Sequence, residues 1–302
     1  MRCSNKKLPQ INLWAANQNP TDFASTAHRF ICGQSRFLSL CLFALLFQSC
    51  FEPVEGCLDT SATNFEATAD NDCCCVYPNL ILDVEQYFGG DTVVYLADRW
   101  YKLDTGDSLR FKTIVFYLAD FQLFQNGTWL PVADTLRLKT YPDSAEQRFT
   151  DDFQLIRRTP GSYTLGEFRT AGNFTEVKFS LGLSTAANKI IPALAPTNHP
   201  LRPQAELLWA ENQGFALAKI VFERDTATAT PPDTLAFFPP GSPKFDLTFP
   251  GSFDHQSGYD FRLKLKVDFR QWFEGVDLSA DDIQTIKNKV AANLPQGFAV
   301  SQ

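Results

Sequence analysis

The sequence predicts an all-β protein, an antiparallel β-sandwich with long loops and a C-terminal helix. Three observations carry this reading. The chain holds 28 Phe, 8 Tyr and 5 Trp against a single Met, a composition that favours strands. Its 18 Pro and 16 Gly suffice to punctuate many short strands. Apolar residues also recur at every second position, most clearly at Tyr259, Phe261, Leu263, Leu265, Val267 and Phe269, with Asp260, Arg262, Lys264, Lys266 and Asp268 between them. A sheet with one wet face is antiparallel by preference. At 302 residues and 44% hydrophobic content, the chain can bury a sizeable core.

Taken from the N-terminus, residues 1–49 read as a leader. Residues 37–47 form an apolar run behind Arg36, shorter than the roughly 20 residues a membrane-spanning helix needs. The run ends at Phe47, Gln48, Ser49 and Cys50, which resembles a relaxed bacterial lipobox with Cys50 as the lipidated residue. An ordinary secretory signal that happens to contain cysteine is the competing reading. The 36 residues ahead of the run exceed a normal basic n-region, an anomaly that a later, non-ATG start removes. Either way the expectation is export to the cell envelope; lipidation adds an anchor to the outer membrane, on its periplasmic side or at the cell surface. Without the leader the chain keeps 22 basic against 33 acidic residues, a net charge of −11, which argues against a nucleic-acid partner.

Residues 50–78 form a cysteine-rich module. Cys3, Cys32 and Cys41 fall in the leader, so Cys57, Cys73, Cys74 and Cys75 are the mature cysteines beyond Cys50, and residues 76–302 have none. Such confinement predicts a local disulfide staple in an oxidising compartment, with three connectivities open. Three adjacent cysteines wrap poorly around a tetrahedral zinc ion. Asp59, Asp70, Asn71 and Asp72 offer oxygen ligands to calcium, but lack the spacing of a full calcium loop, so a solvated turn competes.

Residues 79–302 form the main domain. Leu80, Leu82, Val84 and Phe88 share one parity and lead to Gly89 and Gly90. Residues 113–124 are apolar enough for a buried strand, and Asn126-Gly127 before Trp129 predicts a hairpin, because both residues tolerate positive φ. Val177, Phe179, Leu181 and Leu183 alternate with Lys178, Ser180 and Gly182, giving one dry and one wet face. Residues 192–203 and 226–243, rich in Pro, Thr and Ala, read as long surface loops. Ile283, Ile286, Val290 and Leu294 recur at helical steps behind Ser279, predicting a capped helix over residues 280–293.

Two resemblances follow. Gly56, Cys57, Asp59, Ala62, Asn64 and Phe65, followed by the acidic turn at Asp70–Asp72 and by Cys75 and Tyr77, resemble a short module of secreted Bacteroidetes proteins that reads G-C-x-D-x-x-A-x-N-Y and ends in G-S-C plus an aromatic. That resemblance implies a Cys57–Cys75 disulfide, worth about 3 kcal/mol on the chain-entropy model. Here Cys73 and Cys74 replace the usual Gly-Ser.

Further on, residues 111–123 resemble an F-x-x-x-x-Y-Y-I-S-N-F-x-L strand. Gly161 and Tyr163 with residues 174–183 resemble a G-x-Y turn and a strand ending F-x-I-G-V. His199-Pro200-Leu201, Trp209 and residues 214–219 resemble H-P-L, M-Y-W-x-W and G-Y-x-x-F-K. In this order they resemble the MbnP-like family of exported proteins, which are common as lipoproteins in Bacteroidetes. The resemblance implies a β-sandwich and, for some members, copper binding beside a dihaem peroxidase-like partner that oxidises a tryptophan. The chain departs from the pattern at Glu211, where a second tryptophan is usual, and at Thr248, where a histidine is usual.

The candidate metal ligands are therefore His199, His255 and its neighbour Asp254, with copper as the metal and Trp209 as the redox tryptophan. A loop turn competes for each histidine, and core packing for the tryptophan. Copper(II) favours several imidazoles, and the mature chain has two. No H-E-x-x-H, G-x-S-x-G, P-loop or dinucleotide motif is present, so a non-enzyme is expected. Two functions follow: an envelope-anchored, copper-handling protein of MbnP-like type, or a structural or recognition sandwich that contacts carbohydrate or protein without a metal.

Overall fold

The computed structural model describes residues 52–302, apart from 91–92, 203–207, 211, 226–230 and 240–243. From Pro53 onward the chain forms one compact unit, a sandwich of two main sheets.

The smaller sheet contains β1 (Asn79–Tyr87), and the larger is built on β2 (Ser108–Gln125), which turns through Asn126 and Gly127 into β3 (Thr128–Pro131). Both hairpin residues take positive φ, +51° and +79°, as their identities predict. Next come β4 (Gln154–Arg157), β5 (Gly161–Glu167) and β6 (Gly172–Leu181), then β7 (Ala218–Arg224), β8 (Asp233–Phe237), β9 (Phe245–His255), β10 (Phe261–Asp268) and β11 (Phe298–Ser301). The small sheet runs β5-β1-β10-β11. The large sheet runs β8-β7-β2-β6-β9, with β3 and β4 also paired to β2.

Within the two main sheets, one pairing departs from the expected antiparallel pattern: β1 and β10 run parallel, with Leu80 opposite Phe261 and Tyr87 opposite Asp268. These strands are far apart in sequence, so neither needs a tight turn that would force them antiparallel. Between the sheets lies the main core. Leu80, Leu82 and Val84 of β1 and Phe261, Leu263, Leu265 and Val267 of β10 meet Phe111, Ile114, Phe116 and Leu118 of β2, all nearly or fully buried.

The outer face of the large sheet carries a second apolar layer. Val115, Tyr117 and Ala119 of β2 point away from the main core and are covered by Leu138, Phe153, Ile190, Leu201 and Phe215. The stretch from residue 192 to 202 is therefore not a simple surface loop, since Ala195 and Leu201 are buried in this layer. Leu183 also belongs here, and Ser180 is buried, so the expected wet face of β6 is dry at its C-terminal end.

Three further expectations change. Within residues 226–243, read as a loop, Asp233–Phe237 forms the edge strand β8 against β7, burying Leu235 and Phe237. The alternation over residues 259–269 makes a strand only from Phe261 to Asp268. Tyr259 lies exposed beyond the Gly258 turn, and Phe269 opens a short helix, α1 (Phe269–Trp272), capped by Asp268. The C-terminal helix α2 spans Ile283–Asn293 and begins later than expected, because Asp282 accepts the Thr285 N–H at 2.7 Å and serves as N-cap. Ser279 instead joins a turn in which the Asp277 carboxylate accepts from the Ser279 hydroxyl and from the Ser279 and Ala280 N–H groups.

Candidate functional site

The second apolar layer positions His199. It sits where residues 195–202 cross the large sheet, a path fixed by the Tyr117 hydroxyl donating to the Pro200 carbonyl at 3.0 Å and by Asn198 at φ +67°. The imidazole is 8% exposed and approaches Phe153 edge-on at 6.0 Å. Nδ1 accepts the Leu201 N–H at 3.2 Å, and Nε2 lies 3.0 Å from Oδ1 of Asp151. A backbone N–H can only donate, so Nδ1 is the acceptor and Nε2 carries the proton donated to Asp151. The ring borders an open cleft of about 450 Å³. Asp134, Asp151, Gln154 and Asn198 give this cleft its polar wall, and Phe153 with neighbouring prolines its apolar one.

His255 ends β9 and is buried, with 3% exposure. Its ring stacks on Phe261 at 4.9 Å and 7°. Nδ1 lies 2.7 Å from the Thr170 carbonyl and Nε2 2.8 Å from that of Tyr259. Each ring nitrogen thus faces a carbonyl oxygen at hydrogen-bond distance, and neither is open to an ion. Asp254 is exposed, on the opposite face of the strand from His255, with its backbone clamped by the Gln302 amide. Trp209 is half-buried, pairs with Phe215 in a short ladder and packs on the second apolar layer. Thr248 lies exposed on β9, and Glu211 and Cys50 lie outside the described residues.

The expected copper ligands are thus not brought together. Among the described residues, the one group of three or more His, Cys, Asp or Glu side chains close enough to share an ion is Cys57, Asp72 and Cys75, and two of these are tied up in a disulfide. One imidazole with one carboxylate at His199 and Asp151 falls short of the nitrogen-rich set that copper(II) prefers. The described residues do not by themselves assemble a copper centre.

In the cysteine module, Cys57 and Cys75 are joined, and Cys73 and Cys74 remain thiols, so the expected four-cysteine staple has one bridge. The acidic residues considered for calcium cap backbone N–H groups instead. Asp70 accepts from Val54, Asp72 from Leu58 and Asp59 from Ser61, while Asn71 pairs with Glu55 in a short ladder. Their shared orientation towards the backbone leaves no calcium cage among the described residues. Asp59 also accepts from the Tyr77 hydroxyl, and the Arg169 guanidinium lies 3.3 Å from the Tyr77 ring centroid, which seats the module on the sandwich.

Sequence reasoning missed Asp151 and its neighbour Asp152. Asp152 is 1% exposed, and its Oδ2 accepts the Phe121 N–H at 2.6 Å. Burial pushes its carboxyl up to about 7, opposed by that hydrogen bond. The only available signal was two adjacent acidic residues ahead of an apolar stretch, which says nothing of a partner at Phe121 or His199.

Fold and cleft together define a two-sheet sandwich that carries an apolar second layer and an open polar cleft on one outer face. Residues 77–290 match the family model described as MbnP, and the chain belongs to that family. Among solved structures, MbnP from Methylosinus trichosporium is similar, with 14% identity, a TM-score of 0.43, and coverage of 73% of this chain and 98% of that one. No curated protein matches.

Proposed function

We propose that this MbnP-family chain is a non-catalytic recognition protein of the cell envelope, exported and lipid-anchored at Cys50, that binds a polyhydroxylated, carbohydrate-like ligand in the cleft beside His199. The observation that carries the reading is the composition of that cleft. Carboxylates of Asp134 and Asp151 and amides of Gln154 and Asn198 line one open space beside the Phe153 ring. Carboxylates accept hydroxyl protons, amides both donate and accept, and an apolar wall receives the C–H faces of a sugar. The volume, about 450 Å³, lies in the range of small-ligand sites.

A glycan array probed with the purified chain tests this directly. We expect binding to a subset of glycans that falls at least tenfold in the Gln154→Ala variant, whose fold is unchanged by circular dichroism. Binding that survives substitution of both Gln154 and Asn198, or silence across the array, contradicts it.

Family membership favours a second reading, copper handling with a dihaem peroxidase-like partner and Trp209 as the oxidised residue. The His199 and Asp151 donors stand 3.0 Å apart, a spacing at which both could contact one ion once Nε2 gives up its proton. This reading needs further ligands from outside the described residues or from the partner. Calorimetric copper titration separates the two readings: a stoichiometric copper site lost in His199→Ala supports the second.

A further inference from the structure

The cysteine module contains a feature that neither reading uses. Cys73 and Cys74 are adjacent and unpaired, and the Cys74 Sγ lies 2.7 Å from the Cys73 Sγ, well inside ordinary sulfur–sulfur contact. Their backbone is fixed on both sides. The Cys73 N–H donates to the Gly56 carbonyl at 2.9 Å, and the Asn64 amide donates to the Cys74 carbonyl at 2.8 Å. Asn64 also accepts the Val76 N–H, and the nearby Cys57–Cys75 bridge closes the module around the pair. Cys74 takes φ +58°, a conformation that non-glycine residues rarely adopt. Held this way, the backbone presents the two sulfurs to each other.

We propose that Cys73 and Cys74 form a redox-active vicinal pair, which closes to a disulfide by exchange with small-molecule disulfides of the glutathione class. Cys74 is exposed and Cys73 half-buried, so Cys74 is the attacking thiol. The Cys74 thiol donates to the Cys73 sulfur, and this contact together with burial pushes the Cys73 thiol up to about 11, which leaves Cys73 as the resolving partner.

The Cys74 thiolate attacks one sulfur of the external disulfide, forming a mixed disulfide and releasing one thiolate. Cys73 loses its proton and attacks the Cys74 sulfur, forming the Cys73–Cys74 bond and releasing the second thiolate. The protein loses two protons and two electrons, and one external disulfide becomes two thiols. The Cys57–Cys75 bond, with Cys57 fully buried, takes no part.

Differential alkylation of the purified full chain tests the pair. The chain is equilibrated across a series of reduced-to-oxidised glutathione ratios and blocked with one alkylating reagent. It is then reduced and labelled with an isotopically distinct reagent, and fragment masses locate each label. Cys73 and Cys74 are expected to lose the first label together as the buffer becomes oxidising, without bound glutathione, while Cys57 and Cys75 carry the second label throughout. In Cys73→Ser the resolving thiol is missing, so Cys74 is expected to accumulate as a glutathione mixed disulfide. First-label alkylation of both residues in fully oxidised buffer overturns the proposal, as does oxidation of one without the other or a disulfide-linked dimer through either.

Discussion

Replacing Asp152 with asparagine should remove a specific component of the pH dependence of stability. Asp152 is buried against the middle of β2, where Asp120 adopts φ +58° and the pairing with β6 slips between Lys178 and Ser180. The Asp152 carboxyl receives the Phe121 N–H there. Burial raises its folded value from 3.8 to about 7, with Asp120 adding repulsion and the backbone hydrogen bonds opposing it. The folded state therefore holds this proton more tightly than the unfolded state does. Its stabilising contribution is fully present below pH 4 and is lost as pH rises through 7.

A shift of about three units corresponds to roughly 4 kcal/mol between those limits. Asparagine keeps an oxygen for Phe121 and has no charge to desolvate. Chemical denaturation at intervals from pH 4 to pH 8, on the wild type and Asp152→Asn, isolates the effect as the difference between the two curves. The variant should match the wild type within roughly 1 kcal/mol at pH 4 and exceed it by up to about 4 kcal/mol at pH 8. A difference independent of pH, or a variant less stable than the wild type at pH 8, refutes the assignment.

Other perturbations test the packing. A Cβ at Gly297 would overlap Trp272 Nε1 and lie 3.0 Å from the Asp268 carbonyl, so Gly297→Ala should cost about 1–3 kcal/mol and lower the thermal midpoint. Asp282→Ala removes the cap on Thr285 and should cost about 1 kcal/mol, read from the denaturation midpoint. The paired variant Cys57→Ser with Cys75→Ser should lose about 3 kcal/mol in the module and expose residues 53–77 to protease, with the sandwich core intact.

Much of the sandwich was legible because its signals are local. The alternation through Leu263, Leu265 and Val267 and the Asn126-Gly127 turn each describe a segment by itself. The parallel contact of β1 with β10 was not legible, since nothing local in residues 79–87 records a partner beyond residue 260. The second apolar layer was half visible. Val115, Tyr117 and Ala119 made β2 apolar on both faces, but Ile190, Ala195 and Leu201, which cover it, are scattered among Pro, Thr and Asn with no period. The edge strand at Asp233–Phe237 was hidden for a similar reason, by proline-rich flanks. At the site, the motif singled out His199, whereas Asp151, which accepts the hydrogen bond from its Nε2, lies 48 residues away in sequence. The grouping of His199 with His255 failed because two histidines in a sequence carry no information about which carbonyls or carboxylates already hold them.

On the proposed reading, both imidazoles hold the fold and the His199 cleft binds its ligand without a metal. A histidine-selective ¹⁵N spectrum of the purified chain, recorded before and after one equivalent of Cu(I), distinguishes it from copper ligation. The His199 and His255 ring nitrogens are expected to keep their positions, with Nε2 of His199 still protonated towards Asp151. A stoichiometric shift of the His199 ring, with or without His255, overturns that reading.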